Sequence, residues 1–130
     1  MEVKLSSKRR NQFIDIYSKV EQIVRDSGVK SGECFVFCPH TTAAITINEG
    51  VDPDVQDDLL DALERIVPDI EFRHSEGNSD AHLKSSLIGA SEVIFFENGK
   101  LKLGKWQKIF FCEFDGPRSR RIWVKVTEWT

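Results

Sequence analysis

The sequence contains no CxxC pair, no P-loop, no GxGxxG and no GxSxG. Redox dithiol, nucleotide-binding and serine-hydrolase chemistry therefore find no support in it. No apolar run approaches the roughly 20 residues that a membrane span needs. The segment from Met1 to Arg10 is polar and lacks the apolar core of a secretion signal, so a cytoplasmic protein without a membrane partner is expected. Positive charge is not in excess: 18 Lys and Arg face 21 Asp and Glu, for a net charge of −3. That balance argues against a nucleic-acid partner, which usually meets a basic face. Cysteine is scarce and odd in number, at Cys34, Cys38 and Cys112. Reduced thiols are expected, with Cys34 and Cys38 as small core side chains.

What remains is the composition of a soluble globular protein. The 130 residues, 40% apolar and 30% charged, fit one domain with a sizeable core. Glycine and proline are dispersed like turns, without a linker or repeat.

Periodicity assigns the elements. Val3 and Leu5 alternate with polar residues as a short edge strand, and residues 13–17 read as a second. Ile16, Val20, Ile23 and Val24 fall at helical spacing, predicting a helix from about Ser18 to Ser27 before Gly28. Residues 34–38 form a continuous apolar run of strand length, which predicts cover on both faces. Residues 43–49 alternate as a strand. Asp52 and Pro53 supply an N-cap and a first helical residue, and Val55, Leu59, Ala62, Leu63 and Ile66 predict the buried stripe of that helix. Residues 69–79 read as irregular. A shorter helix follows, with Leu83, Leu87 and Ile88 as its apolar face. Residues 92–97 and the pair Leu101 and Leu103 form a hairpin about Asn98 and Gly99, both of which tolerate positive φ. Residues 107–114 and 122–127 are two further strands. Strands, helix, strands, helices, strands is an α+β order, with one mixed, largely antiparallel sheet and two or three packed helices.

Chemistry-bearing residues gather at the borders of these elements. His40 follows the apolar strand, His74 lies in the irregular segment, and His82 lies in the first turn of the short helix. Three imidazoles with an open fourth position make a common catalytic zinc arrangement. Spacing alone favours three loop histidines with ordinary hydrogen bonds, since no local metal signature links them. Asn48 and Glu49, and Glu76 and Asn78, flank glycines. They suit contacts to a substrate, or plain turns. Glu113 shares a strand face with Ile109 and Phe111, so its carboxylate needs a partner: an arginine, a metal or a substrate. Arg118, Arg120 and Arg121 surround a Gly-Pro turn and match phosphate oxygens, although a solvated basic turn has the same composition.

Several ordered motifs resemble those of the YjbQ family, nearly end to end. The first runs from His40 through Thr41, Thr42 and Ala43 to Asn48 and Glu49, then Asp52 and Pro53. The second is His74 to Asn78 followed by Ala81 to Ser86. The third runs from Ser91 through Gly99, Leu101, Leu103 and Gly104 to Trp106 and Gln107. Glu113, Asp115 to Arg118, and Arg120 complete the match. Lys105 departs from it, where a small Thr is common. The resemblance implies a compact, single-domain homotrimer. It implies a divalent metal on His40, His74 and His82, with zinc first and magnesium an option for a diphosphate. It further implies catalytic Glu49 and Glu113. A small phosphorylated metabolite is then expected on Asn48, Glu76, Asn78, Trp106, Gln107, Arg118 and Arg120. The implied reaction is a secondary thiamine-phosphate synthesis, joining a pyrimidine diphosphate to a thiazole phosphate. Phosphate-ester hydrolysis and a non-catalytic metal-binding module are the alternatives.

Overall fold

A computed structural model describes residues 1–68 and 70–129. Asp69, the first residue of the expected irregular segment, lies outside the described residues, as does Thr130.

Among the described residues eight strands and three helices follow in the order β1 (Glu2–Ser6), β2 (Gln12–Asp15), α1 (Tyr17–Asp26), β3 (Ser31–Phe37), β4 (Ala43–Glu49), α2 (Pro53–Ile66), α3 (Ser79–Ile88), β5 (Ser91–Glu97), β6 (Lys100–Leu101), β7 (Gln107–Glu113) and β8 (Ser119–Glu128). The fold is α+β, and the strands divide into two sheets. One has the order β1-β8-β3-β5-β6, the other β2-β7-β4. Each strand pairing among the described residues is antiparallel.

Strand β7 carries the division of the core. Ile109 and Phe111 face the larger cluster, with Ile16, Val20, Cys34, Val36, Ile45 and Phe96. Phe110, Cys112 and Phe114 face a smaller one, with Phe13, Ala44, Leu63 and Ala81. Apolar residues at consecutive positions of β7 thus serve two cores, which is why the run lacks alternation.

The hairpin at Asn98 and Gly99 forms as expected, with φ of 54° and 73°. Asp52 caps α2 through a bond from the Asp54 N–H, 3.0 Å. Strand β2 ends at Asp15, two residues earlier than the alternation suggests. The Asp15 side chain accepts the Tyr17 N–H and so starts α1 there.

Three expectations change in the folded chain. On α2 only Leu63 is buried, Leu59 and Leu60 are partly buried against the smaller cluster, and Ile66 is exposed. On α3 the inward residues are Ala81 and Lys84, whereas Leu87 is exposed. The Lys84 ammonium pairs with Glu64 and donates to Asn11 Oδ1 at 3.1 Å, so a lysine occupies a core position. Along β3 and just past its end, Cys34, Val36 and Cys38 are buried, but Phe35 and Phe37 lie on an uncovered outer face.

Candidate functional site

Four segments meet at one end of the β4–β7 ladder, where Ala43 lies opposite Glu113. They are the β3–β4 connection with His40, the residues leading into α3, the first turn of α3, and the β7–β8 turn. Helix α3 is pinned to β4 by the Ser85 hydroxyl donating to Ala43 O, 2.7 Å, and by Ile45 N–H donating to Gly89 O, 3.1 Å. That docking brings His82 beside the His40 connection. A cavity of about 480 Å³ results, with His40, His74, His82, Glu76, Asn78 and Arg118 among its walls.

The His74 and His82 rings are perpendicular, with centroids 5.7 Å apart. His40 Nε2 lies 3.1 Å from both the N–H and the carbonyl of Arg121. A backbone bond to one imidazole nitrogen fixes the ring and leaves Nδ1 to a ligand. Partial burial and the nearby Arg120 guanidinium hold the His40 pKa below its ordinary value, so the ring is neutral at pH 7. Glu76 lies 3.9 Å from His74 Nε2. Among the described residues no three metal-type side chains are already drawn into a coordination shell.

Beneath the cavity lies a buried polar network. Glu113 is fully buried and accepts from Arg120 Nε at 2.8 Å, Ser7 Oγ at 2.6 Å and Asp115 N–H at 3.0 Å. Its second oxygen also pairs with an Arg120 terminal nitrogen. Arg120 in turn donates to Thr42 Oγ1 at 2.8 Å. Burial by itself would raise the Glu113 pKa. The bonds from Arg120, Ser7 and Asp115 outweigh it and hold the carboxyl below its ordinary value. Gly116 permits this packing: a Cβ there would stand 2.6 Å from Ser7 Oγ and 2.9 Å from Glu113 Cγ.

At the rim, Asp115 accepts from Asn78 Nδ2 at 2.9 Å and from Arg118 at 2.8 Å. Burial raises the Asp115 pKa, but the Asn78 bond and the Arg118 charge lower it further, so it stays ionised. Asn78 Oδ1 is buried with no hydrogen-bond partner among the described residues. An orphaned acceptor of this kind calls for a donor from water or ligand.

Other expected site residues lie elsewhere. Asn48, Glu49, Trp106 and Gln107 occupy the opposite end of the ladder, where Glu49 pairs with Gln107. Six residue steps along β4 separate Ala43 from Glu49, about 20 Å at ~3.3 Å per residue. There Glu49 accepts the N–H groups of Val51 and Asp52, both at 2.8 Å, and Gln107 accepts that of Gly104 at 2.7 Å. Trp106 is exposed under the Lys105 ammonium, 5.0 Å from its ring. Ser7, Thr42 and Asp115 belong to the network and escape a reading by residue type. Ser7 reaches Glu113 across 106 residues of sequence, and no local pattern signals such a contact.

Residues 1–129 match the family model described as UPF0047 protein YjbQ-like. The UPF0047 protein YugU of Bacillus subtilis is 48% identical over 126 residues, covering 95% of this chain and 96% of that protein. A UPF0047 protein of Archaeoglobus fulgidus is 44% identical over 129 residues, covering 97% and 99%. The crystal structure of a yjbq/upf0047 family protein from Clostridium acetobutylicum superposes with a TM-score of 0.95 at 53% identity, covering 98% of this chain and 99% of that one. A YbjQ-like protein from Sulfolobus solfataricus gives 0.93 at 37% identity, covering 99% and 96%. The chain belongs to the UPF0047 (YjbQ-like) family.

Proposed function

We propose that the histidine cavity binds a divalent metal, zinc before magnesium, together with a small phosphorylated metabolite. The reaction class we assign is phosphate-dependent group transfer, with thiamine-phosphate synthesis from a pyrimidine diphosphate and a thiazole phosphate as the specific case. The observation that carries this reading is the convergence of His40, His74, His82 and Arg118 on one cavity, from segments far apart in the chain.

The residue types suit the metal, and the three rings would have to close on it, since no three such side chains among the described residues already stand as a metal site. Three imidazoles share one cavity, and His40 has one nitrogen held by backbone and the other turned to no partner among the described residues. When bound, the metal supplies positive charge to diphosphate oxygens and to the departing pyrophosphate. Arg118, oriented by Asp115, donates to phosphate at the rim. Asn78 Oδ1 accepts a donor from the ligand or its water shell. Glu113 and Arg120 are each occupied by the other, so they act as positioning residues. Their pair fixes Thr42 and the β7–β8 turn, and through them the walls of the cavity. Asn48, Glu49, Trp106 and Gln107 have no role in the same copy's cavity under this reading.

The uncovered aromatic face supports the homotrimer. Phe35, Phe37, Val93, Phe95 and Trp123 are exposed on one sheet, with Phe37 and Trp123 stacked at 5.7 Å. A contiguous apolar sheet face favours burial against another subunit. Light scattering should return three chains, and Trp123→Glu should lower that mass. Three free, buried thiols suit a reducing cytoplasm, and no described helix is long and apolar enough to cross a membrane.

Purified protein incubated with the two phosphorylated precursors should form thiamine phosphate, and His40→Ala should abolish the product. Equal rates for both proteins would end the synthase assignment. Release of inorganic phosphate from simple esters instead would move the reaction to metal-assisted hydrolysis.

A further inference from the structure

Strands β1 and β8 carry a pattern that the histidine cavity leaves unexplained. Residues opposite one another on an antiparallel pair share a face. Here Lys4 lies opposite Arg121, and the next pair on that face is Ser6 opposite Ser119. Two like charges placed directly across strands destabilise the pair. The nearest acid on the face, Glu2, engages Arg121 at 3.5 Å and accepts from Trp123 Nε1 at 3.2 Å. Lys4 makes no ion pair among the described residues. One carboxylate is thus matched to two cations and an indole.

These residues adjoin a cavity of about 450 Å³, lined by Lys4, Ser6, Ser119 and Arg121 with Glu2, His40 and Arg120. His40 and Arg120 also line the histidine cavity. The two spaces therefore share a wall, and His40 is fixed in it by the backbone of Arg121. Two cationic side chains and two hydroxyls on one strand face can all donate to an oxyanion, while the Glu2 carboxylate on that face is engaged by Arg121 and Trp123. Charge bookkeeping favours the same conclusion. Arg120 is held by Glu113 and Thr42, so among the described residues Arg118 is the one arginine lining the histidine cavity with its head exposed. With the metal engaged by a diphosphate, a second phosphate meets only this guanidinium, which Asp115 already pairs, and the β1–β8 cations lie one wall away.

We propose that the β1–β8 cavity is a second oxyanion subsite, in which Lys4, Arg121, Ser6 and Ser119 take a phosphate-type group. It rests on the proposed function for the phosphorylated character of the ligand. The chemistry is shared by free phosphate and by the terminal phosphate of a larger metabolite.

Titration of the purified protein with inorganic phosphate at low ionic strength, followed by calorimetry, tests the subsite. The wild type should bind at two sites. Lys4→Ala should weaken one of them at least about tenfold, as expected for loss of a charge-assisted contact, and Lys4→Glu should abolish it. His74→Ala should weaken the other and leave the Lys4-dependent one intact. Superimposable titrations for wild type, Lys4→Ala and Lys4→Glu would overturn the subsite, even if His74→Ala lost binding and so upheld the histidine cavity. Loss in the Lys4 variants with none in His74→Ala would do the reverse. A short diol bisphosphate identifies the source. Tighter binding than phosphate, lost in Lys4→Glu, assigns both anions to one ligand; equal binding assigns them to two, and the subsite stands in both cases.

Discussion

The two ends of the β4–β7 ladder carry polar residues of the same types and use them in opposite ways. At the Glu49–Gln107 end, each polar side chain satisfies backbone within a few residues of itself. At the Ala43–Glu113 end, the partners come from β1's exit, the β3–β4 connection, α3 and the β7–β8 turn. The first arrangement finishes a strand and starts a helix. The second gathers three histidines, two arginines and an amide oxygen without a partner among the described residues around open space. Residue type does not separate a turn from a site; the sequence distance of the partners does.

The largest break in this comparison comes from Glu113→Gln, which leaves Arg120 charged and buried without its counter-ion. Loss of one partner from a buried pair costs about 3–5 kcal/mol, so the urea midpoint should fall sharply. A change below about 1 kcal/mol, the range of an exposed pair, would show that the pair is solvated.

Acid sharpens the same contrast. The Glu113 pKa is lowered in the fold, so its contribution is complete above the ordinary carboxylate range and is lost as pH falls below that range, through its folded value. The His40 pKa is lowered too, so a further loss sets in as pH drops below about 6.5, the free histidine value. Denaturation midpoints at pH 7, 5.5, 4 and 3 should decline, and Glu113→Gln should flatten the limb below pH 4.5. A pH-independent midpoint would contradict both assignments.

His82→Ala should reduce phosphate binding at least about tenfold, the scale of a lost charge-assisted or metal-mediated contact, while changing the midpoint little. Smallest is Glu49→Gln at the other end. It weakens turn hydrogen bonds worth about 1 kcal/mol and should leave phosphate binding unchanged. Weaker phosphate binding in Glu49→Gln would place the far end in the site, by way of a neighbouring subunit.

Much of the fold was legible because local chemistry dictates it. Asp52 and Pro53 start α2, Asn98 and Gly99 turn a hairpin, and Val20 and Val24 bury one face of α1. Long-range pairing was not legible. Lys84 sits inside because Glu64 and Asn11 meet it there, and nothing in α3 announces that. The same holds at the site. The histidines could be named from residue type and family resemblance, and their meeting at one cavity came from α3 docking on β4. Glu113 posed its question in the sequence, since a carboxylate on an apolar face needs a partner. The answer, Arg120 with Ser7 from the other end of the chain, required the fold.

Zinc binding to metal-free protein tests the central claim most directly, with wild type compared against the His40→Ala, His74→Ala, His82→Ala triple variant. The account expects one zinc per chain in the wild type and none in the variant, with both remaining folded. Equal zinc in both proteins, or none in a folded wild type, would contradict it.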